Sequence, residues 1–276
     1  MKIKTLFLLP LLLSLAISAK SQPNCNAFLY MGDTVKFDAC EKAMEISGHH
    51  QFSREFQTIL DESIAIDPTF DYAFVEKSVA YLKSGDFVTW KALMDKAVSL
   101  DAASNLGYRG WCRYQFFRDY QGAIEDLERL KNLLKYDIGN SQNGDYHLQI
   151  VRGICYSALG NHQKAIAIIE EQLAKEDHYI GKFDYLHLGV IYLNMGEFEK
   201  ALKAFENQSN VNDLAENHYY MALAYQSLKN HAQYVSALEK SVNMYKQGLI
   251  MRDPYTHPHH KVYLSEIEKE LLQARG

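Results

Sequence analysis

From about residue 38 to residue 248 apolar side chains recur every three or four positions, the period of amphipathic α-helices. Gly, Asn and Asp interrupt them at regular intervals. Laid against itself, the chain repeats one scheme. The string "GVIYLNMGEFEKALKAF" (189–205) matches "GICYSALGNHQKAIAII" (153–169), with a small residue, a tyrosine, a glycine and an alanine in step. The string "ALAYQSLKNHAQYVSAL" (222–238) keeps the first two features and carries Lys229 and Tyr234 in place of the others. The scheme returns in "SVAYLKSGDFVTWKALMDKAVSLD" (78–101) and "RYQFFRDYQGAIEDL" (113–127), after a degenerate copy that ends at Pro68. A tyrosine column results, Tyr81, Tyr114, Tyr156, Tyr192 and Tyr225, with steps of 33, 42, 36 and 33 residues.

Each column has a physical reading. Ser78, Gly153, Gly189 and Ala222 fall where the first helix of a pair must come close to the second, and a large side chain there would force them apart. Gly85, Gly160 and Gly196 end the first helix where a left-handed cap is needed, and Ala123, Ala165 and Ala201 face back across the pair. One copy departs from the scheme. In "YRGWCRY", Gly110 precedes Tyr114 by four residues instead of three, so either Trp111 takes the tight contact or the helix is offset by one residue. The offset is expected, because a tryptophan would not fit. Pro68, the only proline between Asn24 and Asp253, is placed as a helix stop. The long break at 135–147 reads as a surface loop, and Val262, Ile267, Leu271 and Leu272 mark a solvating cap helix.

A two-helix repeat of about 34 residues resembles the tetratricopeptide family over about residues 38–248. The resemblance implies an all-α, right-handed superhelix (α-solenoid) of about six helix pairs, near 38–70, 71–103, 104–137, 146–179, 182–214 and 215–248. An N-terminal arm at 22–37 would precede them, and a linker with a capping helix at 249–276 would follow. Each pair leaves an apolar flank that only the next repeat covers. In this family the concave wall, lined by the first helices, commonly holds an extended peptide or a partner helix. Its groove positions fall here on Tyr72, Val75, Val79, His147, Ile150, Ile154, Phe183, Leu186, Val190, Asn194, Tyr219, Leu223 and Gln226. Some of these would be core, because the superhelix also packs its inner face. Members that grip the carboxylate tail of cytosolic chaperones use Lys and Asn in the groove. Here Val75, Val79 and Val151 fall among those places, with Arg109 the only basic match, so that clamp is not expected.

The first 21 residues change the picture of where such a module works. Lys2 and Lys4 precede an apolar stretch from Leu6 to Ile17, and Ala19 and Ser21 follow in the small-x-small pattern of a secretory signal peptide cleaved near Ser21. The stretch is too short to span a bilayer and is interrupted by Pro10. Combined with the short "AKSQ" exit, the whole resembles tetratricopeptide proteins exported by Bacteroidota, which places the mature chain in the periplasm or outside the cell. Removing Lys2, Lys4 and Lys20 from a chain with 29 basic and 34 acidic residues leaves a net charge of −8, against nucleic acid or anionic membranes as partners. Disulfides form in that compartment. A bridge between Cys25 and Cys40 would tie an extended arm, "CNAFLY", onto the first helix, whereas Cys112 and Cys155 sit inside helical patterns as small buried residues.

Little else carries chemistry. The sequence has no Gly-rich phosphate loop, no G-x-S-x-G and no H-E-x-x-H. His257, His259 and His260 cluster in "YTHPHHK", but Pro258 breaks the helix that would fix their spacing and no acid or cysteine accompanies them, so no metal or other cofactor is expected. The expected function is therefore a non-enzymatic module holding a protein or peptide partner of the cell envelope in its groove. The competing expectation is an accessory subunit whose aromatic groove wall stacks envelope glycan or another small ligand.

Overall fold

The computed structural model describes residues 22–276, and the expected signal peptide at 1–21 lies outside the described residues. The helices run α1 Cys25–Tyr30, α2 Thr34–Met44, α3 Arg54–Ile66, α4 Asp71–Ser84, α5 Phe87–Leu100, α6 Ala102–Cys112, α7 Tyr120–Leu134 and α8 Leu148–Ala158. They continue as α9 His162–Leu173, α10 Asp184–Asn194, α11 Phe198–Val211, α12 Ala215–Ser227, α13 His231–Lys246 and α14 Leu264–Arg275. Local chemistry sets many boundaries. Ser53, Asp86, Asp101, Asp119 and Asn230 cap the N-termini of α3, α5, α6, α7 and α13, each accepting a hydrogen bond from a backbone N–H three residues on. The first helices end in a left-handed residue at Gly48, Gly85, Gly160 and Gly196, and Arg118 and Lys229 adopt the same conformation in the two copies that lack the glycine.

The chain divides into two units at Lys77/Ser78. In the first, α2 and α3 pack as a pair and Ser63 donates from α3 to the Ala39 carbonyl of α2 at 2.7 Å. Their core comprises Ala39, Cys40, Ala43, Phe56, Leu60 and Phe70. Cys25 and Cys40 form a disulfide with Cα atoms 5.5 Å apart. The arm it ties down is not extended as expected: "CNAFLY" is the short helix α1, which sets the Phe28 ring edge-on against Phe70 at 5.9 Å and so covers the open flank of the first pair.

In the second unit α6 pairs with α7, α8 with α9, α10 with α11 and α12 with α13. The first helices α6, α8, α10 and α12 stand side by side as an inner face. The close approach of the pairs is literal at two glycines. A Cβ on Gly189 would lie 2.4 Å from the Phe205 ring, and one on Gly153 would lie 2.5 Å from Ile169. Gly189→Leu is therefore expected to separate α10 from α11 and to lower stability by about 1–3 kcal/mol through overpacking. Denaturant melts give the magnitude, and hydrogen exchange should loosen first between residues 182 and 215. The two buried cysteines, Cys112 and Cys155, are free thiols of this core.

Ion pairs tie the third copy to the second. Asp126 of α7, whose side chain is 4% exposed, accepts from both ends of the Arg109 guanidinium at 2.9 and 2.6 Å and lies 3.2 Å from Arg113. Arg109 also reaches Asp95 of α5 at 2.8 Å. Arg109 thus belongs to a structural network that links α5, α6 and α7. The C-terminal helix α14 caps the last pair through Ile267 and Ala274, while Leu272, which the sequence pattern assigns to its apolar face, is 75% exposed. The residue pair Leu271–Leu272 cannot both face inward on one helix, and Leu271 is the one that packs.

Candidate functional site

Six of the thirteen expected groove residues are buried. Ile150, Ile154 and Leu186 are fully buried and Val190 and Phe183 nearly so, each enclosed by its neighbours on the inner face. His147 does not line a groove. It caps α8, accepting from the Gln149 N–H at 3.1 Å, while Nε2 meets Asp137 at 2.8 Å. The loop that carries it is less superficial than its composition implies, because Ile138, Ser141 and Tyr146 are buried and Asn140 bridges to His147. Tyr72 packs on Phe70 in the first unit, with Val75 half-buried beside it on α4. Val79, Leu223 and Tyr219 are half-buried, Asn194 is exposed, and exposed Gln226 bonds Tyr234 and Glu270 of the cap.

What covers the inner face is the chain itself. Residues 249–263, between α13 and α14, have no regular secondary structure and lie as a strap against residues 114–120, between α6 and α7, and against α10 and α12. Gln115 donates to Thr256 Oγ1 at 2.7 Å, Arg118 donates to the His257 carbonyl, and Tyr220 donates to the His260 carbonyl at 3.2 Å. The His259 ring sits among Tyr114, Tyr120 and His187, at centroid distances of 6.2, 5.9 and 6.1 Å. His260 Nδ1 lies 2.9 Å from His187 Nδ1, and His187 Nε2 lies 3.3 Å from the Tyr146 hydroxyl. These bonds agree when Tyr146 donates to Nε2 and His187 carries its proton on Nδ1. One buried carboxylate, Glu216, holds both ends of the strap: it accepts from the Met251 N–H at 3.1 Å and pairs with Lys261.

The departure in the third copy explains how Arg118 and Tyr114 come to face the strap. Gly110 keeps the tight contact, with a Cβ there 3.1 Å from Leu127, and the extra residue is absorbed by a π-helical turn at Arg113–Phe117. The offset is therefore real, and Trp111 is buried away from the helix contact. In the regular copies the column tyrosine donates back to a glutamate of the preceding pair, Tyr156 to Glu128 and Tyr192 to Glu170. Tyr114, turned by the wider helix, instead lies fully buried against Tyr146 and His259. Arg118 follows in a left-handed conformation at φ 54°, which disfavours a side chain by about 1–2 kcal/mol. Four of the other copies carry glycine there, and only a side chain can clamp the strap.

The three imidazoles are held neutral. Burial lowers His259 to about 4, with the Arg118 charge adding to it, and burial followed by His259 and Arg118 keeps His187 and His260 well below the ordinary imidazole range. The phenols of Tyr114, Tyr120, Tyr146 and Tyr220 are pushed up by burial; Arg118, Glu216 and Lys83, which lies over the Tyr255 ring, are charged groups that face the strap, and Lys261 is the strap's own cation paired with Glu216. A base whose docked pKa is depressed stabilises docking fully above its free value of about 6.5 and loses that contribution as pH falls toward about 4. Hydrogen exchange of residues 251–263, corrected for intrinsic pH dependence, is expected to rise across that window. A flat profile would mean the imidazoles are not buried by docking.

Side chains of the face bond the main chain of the strap and enclose one of its rings. Among the described residues no group of His, Cys, Asp and Glu has metal-binding geometry, the His187–His259–His260 cluster included. Also among the described residues, no helix is long and apolar enough to cross a membrane.

The paired helices, the left-handed turns and the close-contact column define a tetratricopeptide-repeat α-solenoid. Residues 185–208 match the tetratricopeptide repeat family model. Among solved structures the chain is similar to PilW, described as a widely conserved type IV pilus biogenesis factor, at 15% identity and a TM-score of 0.61, covering 77% of this chain and 94% of PilW. YrrB, described as a TPR protein with an unusual peptide-binding site, aligns at 18% identity and a TM-score of 0.52 over 68% of this chain and 92% of its own. A tetratricopeptide repeat protein from Parabacteroides merdae aligns at 10% identity and a TM-score of 0.50 over 91% and 96%. At these identities the likeness is one of fold. No curated protein matches the chain.

Proposed function

We propose that the protein is an exported, non-enzymatic scaffold that holds an extended polypeptide segment of an envelope partner on the inner face of α6, α8, α10 and α12. The observation that carries this reading is that the face already accommodates non-helical polypeptide: the strap's main-chain carbonyls and its His259 ring are taken by Arg118, Tyr220, Tyr114 and His187. Two further features support it. YrrB, with a peptide-binding site by its description, has the same fold, and a Cys25–Cys40 bridge suits an oxidising compartment.

Photo-crosslinking in the envelope tests the reading. A photoreactive residue at Tyr120, beside the strap at the start of α7, or at Tyr219 of α12 should capture a partner polypeptide, and one at the exposed Lys203 on α11 should not. Capture of glycan alone at the inner positions, or adducts only to the chain's own residues 255–260, would count against a polypeptide partner.

A further inference from the structure

We propose that residues 253–263 are a resident competitor for the inner face, so that a partner binds by displacing a segment whose chemistry it shares. The inference rests on the reading that this face is the binding site. It follows from how the strap is held. A connection between two helices needs only to reach, yet this one makes a series of specific contacts to residues more than 130 positions away, at Gln115, Arg118 and Tyr120. Its main-chain carbonyls at 257 and 260 are bonded by side chains of the face, and one ring, His259, fills a pocket of rings. Those are elements of peptide recognition: backbone bonds that accept any sequence and a pocket that selects one side chain.

The strap is also built to leave. Glu216 ties both Met251 and Lys261, so one carboxylate loosens both ends of the connection when its pairings are lost. His260 and Arg118, the clamp on His257, are both in left-handed backbone conformations, at φ 62° and 54°, which residues with a side chain adopt under constraint. Being tethered, the strap occupies the face at an effective concentration in the millimolar range, so its intrinsic affinity need be no more than weak.

The contacts define what replaces it. The occupant is a segment that turns as residues 258–261 do, with an uncharged ring in the His259 pocket, which means neutral His, Tyr or Phe. It carries a main-chain carbonyl on either side of that ring, for Arg118 and for Tyr220. A lysine or arginine at the pocket position is excluded by Arg118, which lies 3.4 Å from the His259 ring nitrogen.

The probe is a fluorescent peptide with the sequence of residues 251–263. It is titrated against the mature wild-type chain and against a triple variant, His259→Gly, His260→Gly and Lys261→Gly, whose folding is checked by its melting transition. The expected result is binding to the variant at least about tenfold tighter than to the wild type, reflecting removal of the tethered competitor. Equal binding to both would overturn the competitor role while leaving the face as a peptide site. Absence of binding to the folded variant would overturn the pocket chemistry, and the crosslinking at Tyr219 would still decide the broader function. Should the variant fail to fold, excess isotope-labelled peptide added to the wild type must speed hydrogen exchange in the strap, and unchanged exchange overturns the proposal. A wild-type dimer in which the strap crosses to a second copy, seen by light scattering and inter-chain crosslinks, would overturn the intramolecular assignment.

Discussion

Asp126→Ala is expected to lower the stability of the second unit by about 3–5 kcal/mol, more than any other single substitution proposed for this chain. The reason is what it leaves behind. Asp126 accepts two charge-assisted bonds from Arg109 and sits beside Arg113, and the three side chains are 4%, 12% and 18% exposed. Removing the carboxylate strands two guanidinium groups in a poorly solvated place, and an uncompensated buried charge outweighs the desolvation relieved by removing its partner. Asp95 and Asp119 remain as partners, but at 38% and 47% exposure they are partly screened by water. Asp126→Asn, which retains one acceptor, should fall between the variant and the wild type. Urea titration of each variant supplies the measurement. A change below about 1 kcal/mol for Asp126→Ala would show the network to be no stronger than a surface pair.

The second large effect concerns the first unit. Cys25→Ala with Cys40→Ala opens a loop of 15 residues in sequence separation, and the chain-entropy account assigns such a closure about 3 kcal/mol. The unit has few other means to hold α1. This helix is six residues long, too short to be stable alone, and rests on Phe28 against Phe70. The double variant should therefore lose protection at residues 25–44 first. A non-reduced digest of protein purified from its native compartment should yield the 25–40 linked fragment, and free thiols at both positions would remove the basis of the prediction.

Whether a feature of this fold is legible in the sequence depends on whether its determinants are local or distant. The helix pairs can be read because their determinants recur within each copy: the small residue at 153 or 189, the tyrosine three places on, the glycine four beyond that. Even the irregular copy is visible as one residue too many between Gly110 and Tyr114, although the sequence does not say that a π-helical turn absorbs it or that Tyr114 leaves its column. The α1 helix escapes a sequence reading because turn-forming neighbours at Asn24 and Gly32 give no periodicity over so short a span. The groove positions fall mostly on the inner helices, but helical spacing cannot separate a residue that packs from one that waits for a partner. Ile150, Ile154 and Leu186 pack.

The strap is beyond the reach of sequence patterns for a further reason. The histidines of "YTHPHHK" stand out only as a poor metal cluster, because a segment without periodicity carries no record of what it touches. Its partners at 115, 118, 187 and 220 are recognisable within their own repeats and never from the strap. The one advance signal is negative: Arg118 and Lys229 replace glycine at a left-handed turn. At Arg118 the side chain has a use that offsets the backbone strain, as a clamp on His257.

If the inner face of the repeats holds extended polypeptide, with the chain's own strap in place, His187 reports on it directly, since it is fully buried on α10 beneath His259 and His260. Diethyl pyrocarbonate labelling at neutral pH, read by mass spectrometry, should leave His187 unmodified in the wild type while the exposed His49, His50 and His231 react. In the His259→Gly, His260→Gly, Lys261→Gly variant His187 should react at a rate approaching theirs. Labelling of His187 in the wild type as fast as at His49 would contradict the account, because the strap would then not lie on the face.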